Sequence, residues 1–202
     1  MELIIVRHGR PNRVEGVQGV ADPSLTEIGS EQAEAVAAFL SKSKIDHIFS
    51  SPMLRARQTA QPLATQMGMD LIIVENLAEI DKDSNTYLPM EEVKAQGGDD
   101  WQAVIDDPDS IHGDVDIEAF ADKVFEAFEE IIRDNSGKTV VAFCHAMVAM
   151  CYLQRILGYT DRYGLHIDYA SITRVQASRA GARSILSSNE TIHLGDKVIR
   201  TP

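Results

Sequence analysis

Short, largely apolar runs that alternate with longer stretches of helical periodicity are the feature that most constrains how this chain folds. Residues 3–6 and 139–143 are almost continuously apolar over the length of a strand, which is typical of strands buried on both faces of a parallel sheet. Residues 47–50 and 71–74 read as two further short strands. Strands alternating with helices predict a three-layer α/β/α sandwich with a mainly parallel central sheet.

Two helices are predicted in the first third of the chain. Thr26 is suited to cap a helix that runs to Leu40, because its hydroxyl can accept from free amides of the first turn. A second helix is predicted over residues 54–67, ending at Gly68. Pro62 inside it indicates either a kink or a later helix start.

The second half of the chain also contains patterns typical of helices and of strands. Residues 117–134 have apolar side chains at helical spacing, which predicts an amphipathic helix. Residues 146–157 are predicted to form a helix stopped by Gly158. Residues 171–177 and 183–188 alternate in polarity and predict two final strands, joined by a tight turn.

The segment from residue 81 to residue 116 differs from the rest of the chain. It is polar, contains Gly97-Gly98 and carries eleven acidic residues. We expect it to be a lid-like insertion with some helix rather than a linker. With 202 residues, of which 44% are apolar, residues 1–202 are expected to form a single domain that carries this insertion.

The net charge of −12 argues against nucleic acid and anionic membrane surfaces as partners, since both need a basic footprint. An anionic ligand must therefore be held by local charge, and Arg7, Arg10 and Arg13 supply it within seven residues. No apolar run of about eighteen residues and no export signal is visible, so a cytoplasmic location is expected.

The two cysteines, Cys144 and Cys151, are expected to be free thiols in a reducing compartment. A cysteine phosphatase places an arginine six positions after its cysteine, and Met150 and Leu157 stand at those positions here. That mechanism is excluded.

Two histidines follow predicted strands directly. His8 follows the first strand within Arg7-His8-Gly9, and His145 lies between a strand and a helix. Ligands of parallel α/β sheets collect beyond the carboxyl ends of the strands. A neutral imidazole can attack phosphorus, a neighbouring guanidinium can hold phosphoryl oxygens, and Gly9 permits close backbone approach.

Further motifs follow in a fixed order. Residues 22–29 read Asp-Pro-Ser-Leu-Thr-Glu-Ile-Gly, residues 50–60 read Ser-Ser-Pro-Met-Leu-Arg-Ala-Arg-Gln-Thr-Ala, and residues 143–146 read Phe-Cys-His-Ala. With the Arg-His-Gly turn, they resemble the signatures of the histidine phosphatase superfamily, the phosphoglycerate-mutase-like family, in its phosphatase branch. The resemblance covers most of the chain.

The resemblance implies that His8 becomes phosphorylated, that Arg7, Arg55 and His145 hold the phosphoryl group, and that water then attacks the phosphohistidine. It implies neither a metal nor a cofactor. Because His8 must be neutral to attack whereas His145 is more useful protonated, we expect the site to move the two pKa values in opposite directions. The helix after His145 is expected to add its positive end to the phosphate cradle.

The proton donor of the family follows the third strand in a Leu-x-Glu setting, which Leu77-Ala78-Glu79 matches. Glu79 is therefore the candidate general acid and later base. Asp81 remains an alternative, because the next residues depart from the family pattern.

The segment after His8 also departs from that pattern. Asn12 and Gln18 are candidate substrate-binding residues by position, and Arg10 is a candidate for a second anionic group of the substrate. Arg10 and Arg13 could equally be surface arginines.

These signals predict a metal-independent phosphomonoester hydrolase of the histidine acid phosphatase type, acting on a small phosphorylated metabolite. A phosphoglycerate mutase-type phosphotransferase and a non-catalytic phospho-ligand-binding module remain as alternatives. The sequence does not identify the substrate, and it does not indicate whether the chain forms a homo-oligomer.

Overall fold

A computed structural model describes residues 1–201 and contains one six-stranded mixed sheet. The strands are β1 (Glu2–Arg7), β2 (His47–Ser50), β3 (Leu71–Ile73), β4 (Thr139–Cys144), β5 (Ile172–Ala177) and β6 (Arg183–Glu190). Their order across the sheet is β3-β2-β4-β1-β5-β6. The first four in this order are parallel, whereas β5 and β6 are antiparallel to their neighbours. The predicted final pair of strands is a hairpin at this edge.

Six α-helices connect the strands. They are α1 (Glu27–Leu40), α2 (Leu54–Met67), α3 (Met90–Gln96), α4 (Gly98–Asp106), α5 (Ile117–Asp134) and α6 (Ala146–Leu157). The Thr26 hydroxyl accepts from the Gly29 amide, as expected of the cap of α1. Because α2 begins at Leu54 and continues through Pro62, the alternative of a later helix start is wrong.

The helices cover both faces of the sheet, as the three-layer prediction requires. Successive side chains of a strand point to opposite faces. Leu3 and Ile5 pack with residues of α5 and α6, while Ile4 and Val6 pack with residues of α1 and α2. The fold prediction is therefore confirmed, and Cys144 and Cys151 are buried, unpaired thiols.

Residues 81–116, called the insertion below, contain α3, α4 and a short 3-10 helix over Pro108–His112. The insertion is joined to the loop after β1 by two backbone hydrogen bonds between Val14 and Tyr87, with N···O distances of 3.0 and 2.7 Å. It therefore lies beside the carboxyl ends of the parallel strands. No helix within residues 1–201 is long and apolar enough to cross a membrane.

Candidate active site

The register of the parallel strands brings His8 and His145 together. Arg7 at the end of β1 pairs with Cys144 at the end of β4, so the residues that follow them are neighbours. The His8 amide donates to the Cys144 carbonyl at 2.9 Å, and the two imidazole rings lie 5.0 Å apart between centroids. Both histidines are buried. The two histidines that directly follow predicted strands therefore lie together at the carboxyl ends of β1 and β4.

The His8 ring is held in one tautomer by its own turn. Its Nδ1 lies 2.7 Å from the Gly9 carbonyl oxygen, and a carbonyl can only accept, so Nδ1 carries the proton. The lone pair is then on Nε2. Burial, followed by the charges of Arg55 and Arg7, holds the pKa of His8 well below its usual value. The imidazole is consequently neutral at neutral pH, as a nucleophile must be.

The turn after His8 packs directly against the start of α1. The Gly9 amide donates to the Thr59 hydroxyl at 2.9 Å. A Cβ atom on Gly9 would lie 2.5 Å from the Gly29 carbonyl oxygen, and one on Gly29 would lie 2.1 Å from the Arg10 carbonyl oxygen. Glycine is required at both positions by this close approach, which explains a glycine in each of the two motifs.

Arg7 is fixed from three sides. Its Nη1 donates to the Ile167 carbonyl at 2.6 Å and to the Thr201 hydroxyl at 3.2 Å. Its guanidinium carbon lies 4.0 Å from the centre of the Tyr169 ring, in a cation–π arrangement. Its buried Nε has no hydrogen-bond partner among residues 1–201. The side chain therefore presents a pre-positioned free donor.

Arg55 is a charged side chain that is fully buried. Its Nη2 donates to Asp81 at 2.9 Å, and its guanidinium carbon lies 4.7 Å from the centre of the Tyr87 ring. Within the described residues, its Nε and Nη1 have no partner. Burying unpaired donors is costly unless a ligand completes them. Arg55 therefore marks the place where an anion is expected.

His145 contributes a second imidazole with one free nitrogen. Its Nε2 lies 2.7 Å from the Ser51 hydroxyl, while Nδ1 is buried with no partner within residues 1–201. Burial lowers the pKa of His145 well below its usual value, and the charges of Arg55, His8 and Arg7 lower it further. The expectation that the two histidine pKa values move in opposite directions is wrong. Both rings share the same desolvation and the same two arginines.

Glu79 lies at the N-terminus of α6. Its two carboxylate oxygens accept from the Met147 amide at 3.1 Å and from the Ile80 amide at 3.0 Å. Burial, with a further contribution from the charge of Asp81, raises the pKa of Glu79 to about 7. The helix after His145 was expected to direct its positive end at phosphate, and its Met147 amide donates instead to Glu79. At neutral pH this carboxyl is poised to give and take a proton.

Asn12 and Gln18 do not line the cleft into which His8, Arg55 and Glu79 face. The Asn12 amide donates to the carbonyl oxygens of Ser24 at 3.2 Å and Leu25 at 3.1 Å, which ties the loop after β1 to the residues preceding α1. Gln18 is exposed on the same loop. The structure does not bring either side chain to His8, and their role in substrate binding stays a prediction.

Arg10 connects the turn after His8 to the insertion. Its Nε donates to Glu91 at 2.8 Å and its Nη2 donates to Glu92 at 2.5 Å, both on α3. Arg13 is 3.5 Å from Glu92. The Tyr169 hydroxyl donates to the other oxygen of Glu91 at 3.2 Å. In this arrangement Arg10 is paired with protein carboxylates, whereas a role towards substrate remains untested.

A cleft of about 1660 Å³ opens above these residues. Arg7, His8, Arg55 and Glu79 line its base, and the insertion forms much of the opposite wall. Sequence reasoning missed Tyr87 and Tyr169, because nothing near them in the chain indicates that their rings would meet the two arginines. It also assigned no role to Ser51 and Thr59, although both lie in the motif over residues 50–60.

The chain is similar over nearly its whole length to known phosphatases. The profile of the histidine phosphatase superfamily (branch 1) matches residues 3–191. Phosphoserine phosphatase 1 of Hydrogenobacter thermophilus is 28% identical over 202 residues, which cover 97% of this chain and 95% of the relative. A probable phosphoglycerate mutase of Serratia proteamaculans is 27% identical, covering 87% of this chain and 84% of the relative.

Solved structures share the fold. A phosphoserine phosphatase from Entamoeba histolytica in complex with 3-phosphoglyceric acid superposes with a TM-score of 0.72 at 24% identity, covering 96% of this chain and 98% of that one. A mycobacterial glucosyl-3-phosphoglycerate phosphatase gives a TM-score of 0.73 at 20% identity, with coverages of 94% and 99%. Because its profile match spans residues 3–191, this chain belongs to the histidine phosphatase superfamily (branch 1).

Proposed function

We propose that the protein is a phosphomonoester hydrolase that acts on a small phosphorylated metabolite through a phosphohistidine at His8. The observation that carries the proposal is the neutral His8 imidazole, whose Nδ1 bonds to Gly9. Beside it, Arg7 Nε and Arg55 Nε and Nη1 are buried donors without a partner within residues 1–201. A nucleophile and an anion cradle are thereby combined in one pocket.

In the first step, His8 Nε2 attacks phosphorus and the bond from phosphorus to the ester oxygen breaks. Protonated Glu79 gives its proton to the departing oxygen, so the alcohol leaves neutral. In the second step, the Glu79 carboxylate takes a proton from water as the water oxygen attacks phosphorus. The phosphorus–nitrogen bond breaks, phosphate leaves, and His8 and Glu79 return to their starting states.

Arg7, Arg55 and His145 hold the phosphoryl oxygens during both steps. Transfer of a phosphoryl group spreads negative charge over three oxygens, and fixed donors in a dry pocket stabilise that charge. A bound dianion would also raise the pKa of His145, because its negative charge offsets the positive charges of Arg55 and Arg7. Because arginine and histidine supply the positive charge, we expect turnover without an added metal and in the presence of a chelator.

Glu79 is a better proton donor than Asp81 on geometric grounds. Asp81 accepts a hydrogen bond from Arg55, which places it as a support for the anion-binding guanidinium. Glu79 is buried in the cleft and has a pKa of about 7 because burial disfavours its charged form. Glu79 thus combines a place at the base of the cleft with a pKa near neutral pH.

The relatives include a phosphatase and a probable mutase, which correspond to two candidate reactions. The phosphoserine phosphatase of Hydrogenobacter thermophilus aligns over almost its full length and supports hydrolysis of a small phosphate ester. The relative from Serratia proteamaculans, named a probable phosphoglycerate mutase, keeps transfer between two positions of phosphoglycerate as the second candidate. A coupled assay with 3-phosphoglycerate separates them, because a mutase interconverts the isomers much faster than it releases phosphate.

The direct test is to trap the covalent intermediate. The protein is incubated with p-nitrophenyl phosphate, quenched rapidly under alkaline conditions that preserve phosphohistidine, digested and analysed by mass spectrometry. We expect the phosphoryl group on the peptide that contains His8, and turnover that His8→Ala abolishes. His47→Ala is the control, because His47 lies at the end of β2 that is remote from the cleft. This variant should hydrolyse the substrate at the wild-type rate. Full activity of His8→Ala would contradict the mechanism, and binding without any turnover would favour the binding module.

A further inference from the structure

Exposed apolar side chains gather at the mouth of the cleft. Val20, Ile105, Ile111 and Val115 are 53%, 53%, 45% and 44% exposed, and all four line it. Contiguous exposed apolar surface is uncommon on soluble proteins and marks places where something apolar binds. These side chains are continuous with the pocket that holds His8.

The deeper wall of the cleft is apolar as well. Phe120 of α5, Met147 and Met150 of α6, and Leu165 line it, together with Trp101 of the insertion. Ligand pockets of this composition gain affinity by removing apolar ligand surface from water. A substrate that reaches beyond the phosphoryl pocket therefore meets apolar side chains along this wall.

The charges in the lining oppose a second anionic group. Beyond Arg7 and Arg55, the lysine and arginine side chains of the lining are Lys82, which is 3.3 Å from Asp83, and Lys123, which is exposed on α5. The carboxylates of the lining that lie apart from Glu79 and Asp81 are Asp22, Glu75, Asp83, Asp100 and Asp116. A substrate carboxylate in this part of the cleft would be repelled rather than bound.

We propose that the substrate is a phosphomonoester of an uncharged alcohol with an extended apolar or aromatic body. Its phosphate occupies the pocket at His8, and its body lies along the wall formed by Phe120, Met150, Ile111 and Val115. This inference rests on the proposed hydrolase function. It separates this chain from the solved relative that was crystallised with 3-phosphoglyceric acid, a carboxylate-bearing ligand.

The test compares two substrate series by their kcat/KM. In the first, the alkyl group lengthens from ethyl to hexyl phosphate, and we expect a rise of roughly threefold per methylene as each is buried. In the second, glycerol 3-phosphate is compared with 3-phosphoglycerate, which has a carboxylate in place of a hydroxymethyl group. We expect the carboxylated ester to be poorer by at least about tenfold.

Substitutions in the cleft test whether its apolar side chains cause the dependence of kcat/KM on alkyl length. Ile111→Ser and Val115→Ser should flatten the dependence on alkyl length, and neither removes a buried side chain. Leu186→Ser is the control, because Leu186 is 58% exposed on β6 and does not line the cleft.

The outcomes separate this inference from the function on which it rests. A flat alkyl series, or a preference for 3-phosphoglycerate or phosphoserine, with clear turnover of ethyl phosphate would overturn the substrate class alone. Absence of turnover with every ester would overturn the hydrolase function as well.

Discussion

The two walls of the cleft are built in different ways. The wall that carries the reactive groups lies at the ends of parallel strands, and Arg7, His8, Arg55 and His145 are each 7% exposed or less. The opposite wall is the insertion, in which α4 has no buried residue. The first is buried and polar at the surface that carries His8, whereas the second is partly exposed and mixes apolar side chains with carboxylates.

Under the proposed function, the strand-end wall carries out the phosphoryl transfer and the insertion wall binds the rest of the substrate. Side chains at the strand ends are positioned by backbone hydrogen bonds of the sheet and by packing on two faces, so small displacements are costly. The insertion is attached to the loop after β1 by backbone hydrogen bonds, such as the pair between Val14 and Tyr87, and by partly exposed ion pairs of Arg10 with α3. Substitutions should therefore cost orders of magnitude in turnover at the strand ends and only small factors in the insertion.

Among substitutions that leave His8 in place, the largest effect is expected for Arg55→Met, which removes the buried cation at the base of the cleft. Loss of a fixed donor to a developing charge lowers kcat by about 10²–10³-fold. Steady-state kinetics with p-nitrophenyl phosphate measures it. Arg57→Met is the matched control, because Arg57 is exposed two residues further along α2. A decrease of less than tenfold for Arg55→Met would remove the functional contrast between the walls.

The second largest loss of activity is expected for Glu79→Gln. Loss of the general acid is expected to lower kcat/KM for ethyl phosphate by about 10²-fold. The loss of kcat/KM, which reports only the transfer of phosphate to His8, should be much smaller for p-nitrophenyl phosphate, whose phenolate leaves without a proton. Wild-type turnover of ethyl phosphate should decline as pH rises through about 7, where Glu79 loses its proton. Equal losses for both substrates would argue that Glu79 has another role.

The raised pKa of Glu79 also predicts a pH-dependent stability. The folded state binds the proton more tightly than the unfolded chain, so the free energy of unfolding decreases as pH rises from about 4.5 to about 7. Glutamine does not titrate. In urea titrations, Glu79→Gln should gain stability relative to wild type between pH 5 and pH 8, and a constant difference would contradict the burial effect.

Gly29→Ala tests the packing that supports the strand-end wall. The new Cβ would lie 2.1 Å from the Arg10 carbonyl oxygen, so the turn after His8 must move. Overpacking of this kind costs about 1–3 kcal/mol. Gly164→Ala is the control, because its Cβ would meet no atom closer than 3.6 Å. Urea titration gives both free energies of unfolding, and equal values would show that the turn adapts freely.

The smallest effect is expected for Arg10→Met, which unlinks the catalytic turn from α3. Partly exposed ion pairs contribute about 1 kcal/mol or less, and the Arg10 side chain is 22% exposed. We expect kcat to change by less than about fivefold while the insertion becomes more susceptible to limited proteolysis. A loss comparable to that of Arg55→Met would mean that Arg10 acts on the substrate, as one interpretation of the sequence allows.

The fold was predictable because its signals are local. Apolar runs at residues 3–6 and 139–143 and the helical spacing over residues 117–134 each reflect which faces of an element are buried, and all three elements form as predicted. The order of the strands and the antiparallel direction of β5 depend on contacts between distant parts of the chain. Periodicity within one element carries no information about them.

The motifs predicted which candidate residues would lie together, but they did not predict the pKa values of those residues. The motifs named His8, Arg7, Arg55 and His145, and the structure brings all four together at the strand ends. The sequence left Glu79 and Asp81 as alternatives, because only tertiary contacts show which carboxyl meets the α6 amide and which meets Arg55.

The sequence by itself determined the turn around His8, the glycines it needs and the strands that carry its partners. Only the tertiary structure decided the protonation of the site. The pKa values of His8, His145 and Glu79 depend on burial and on charges contributed by other strands and helices. Backbone propensity acts between neighbours in the chain, whereas desolvation and Coulomb interactions act through space and exist only once the chain is folded.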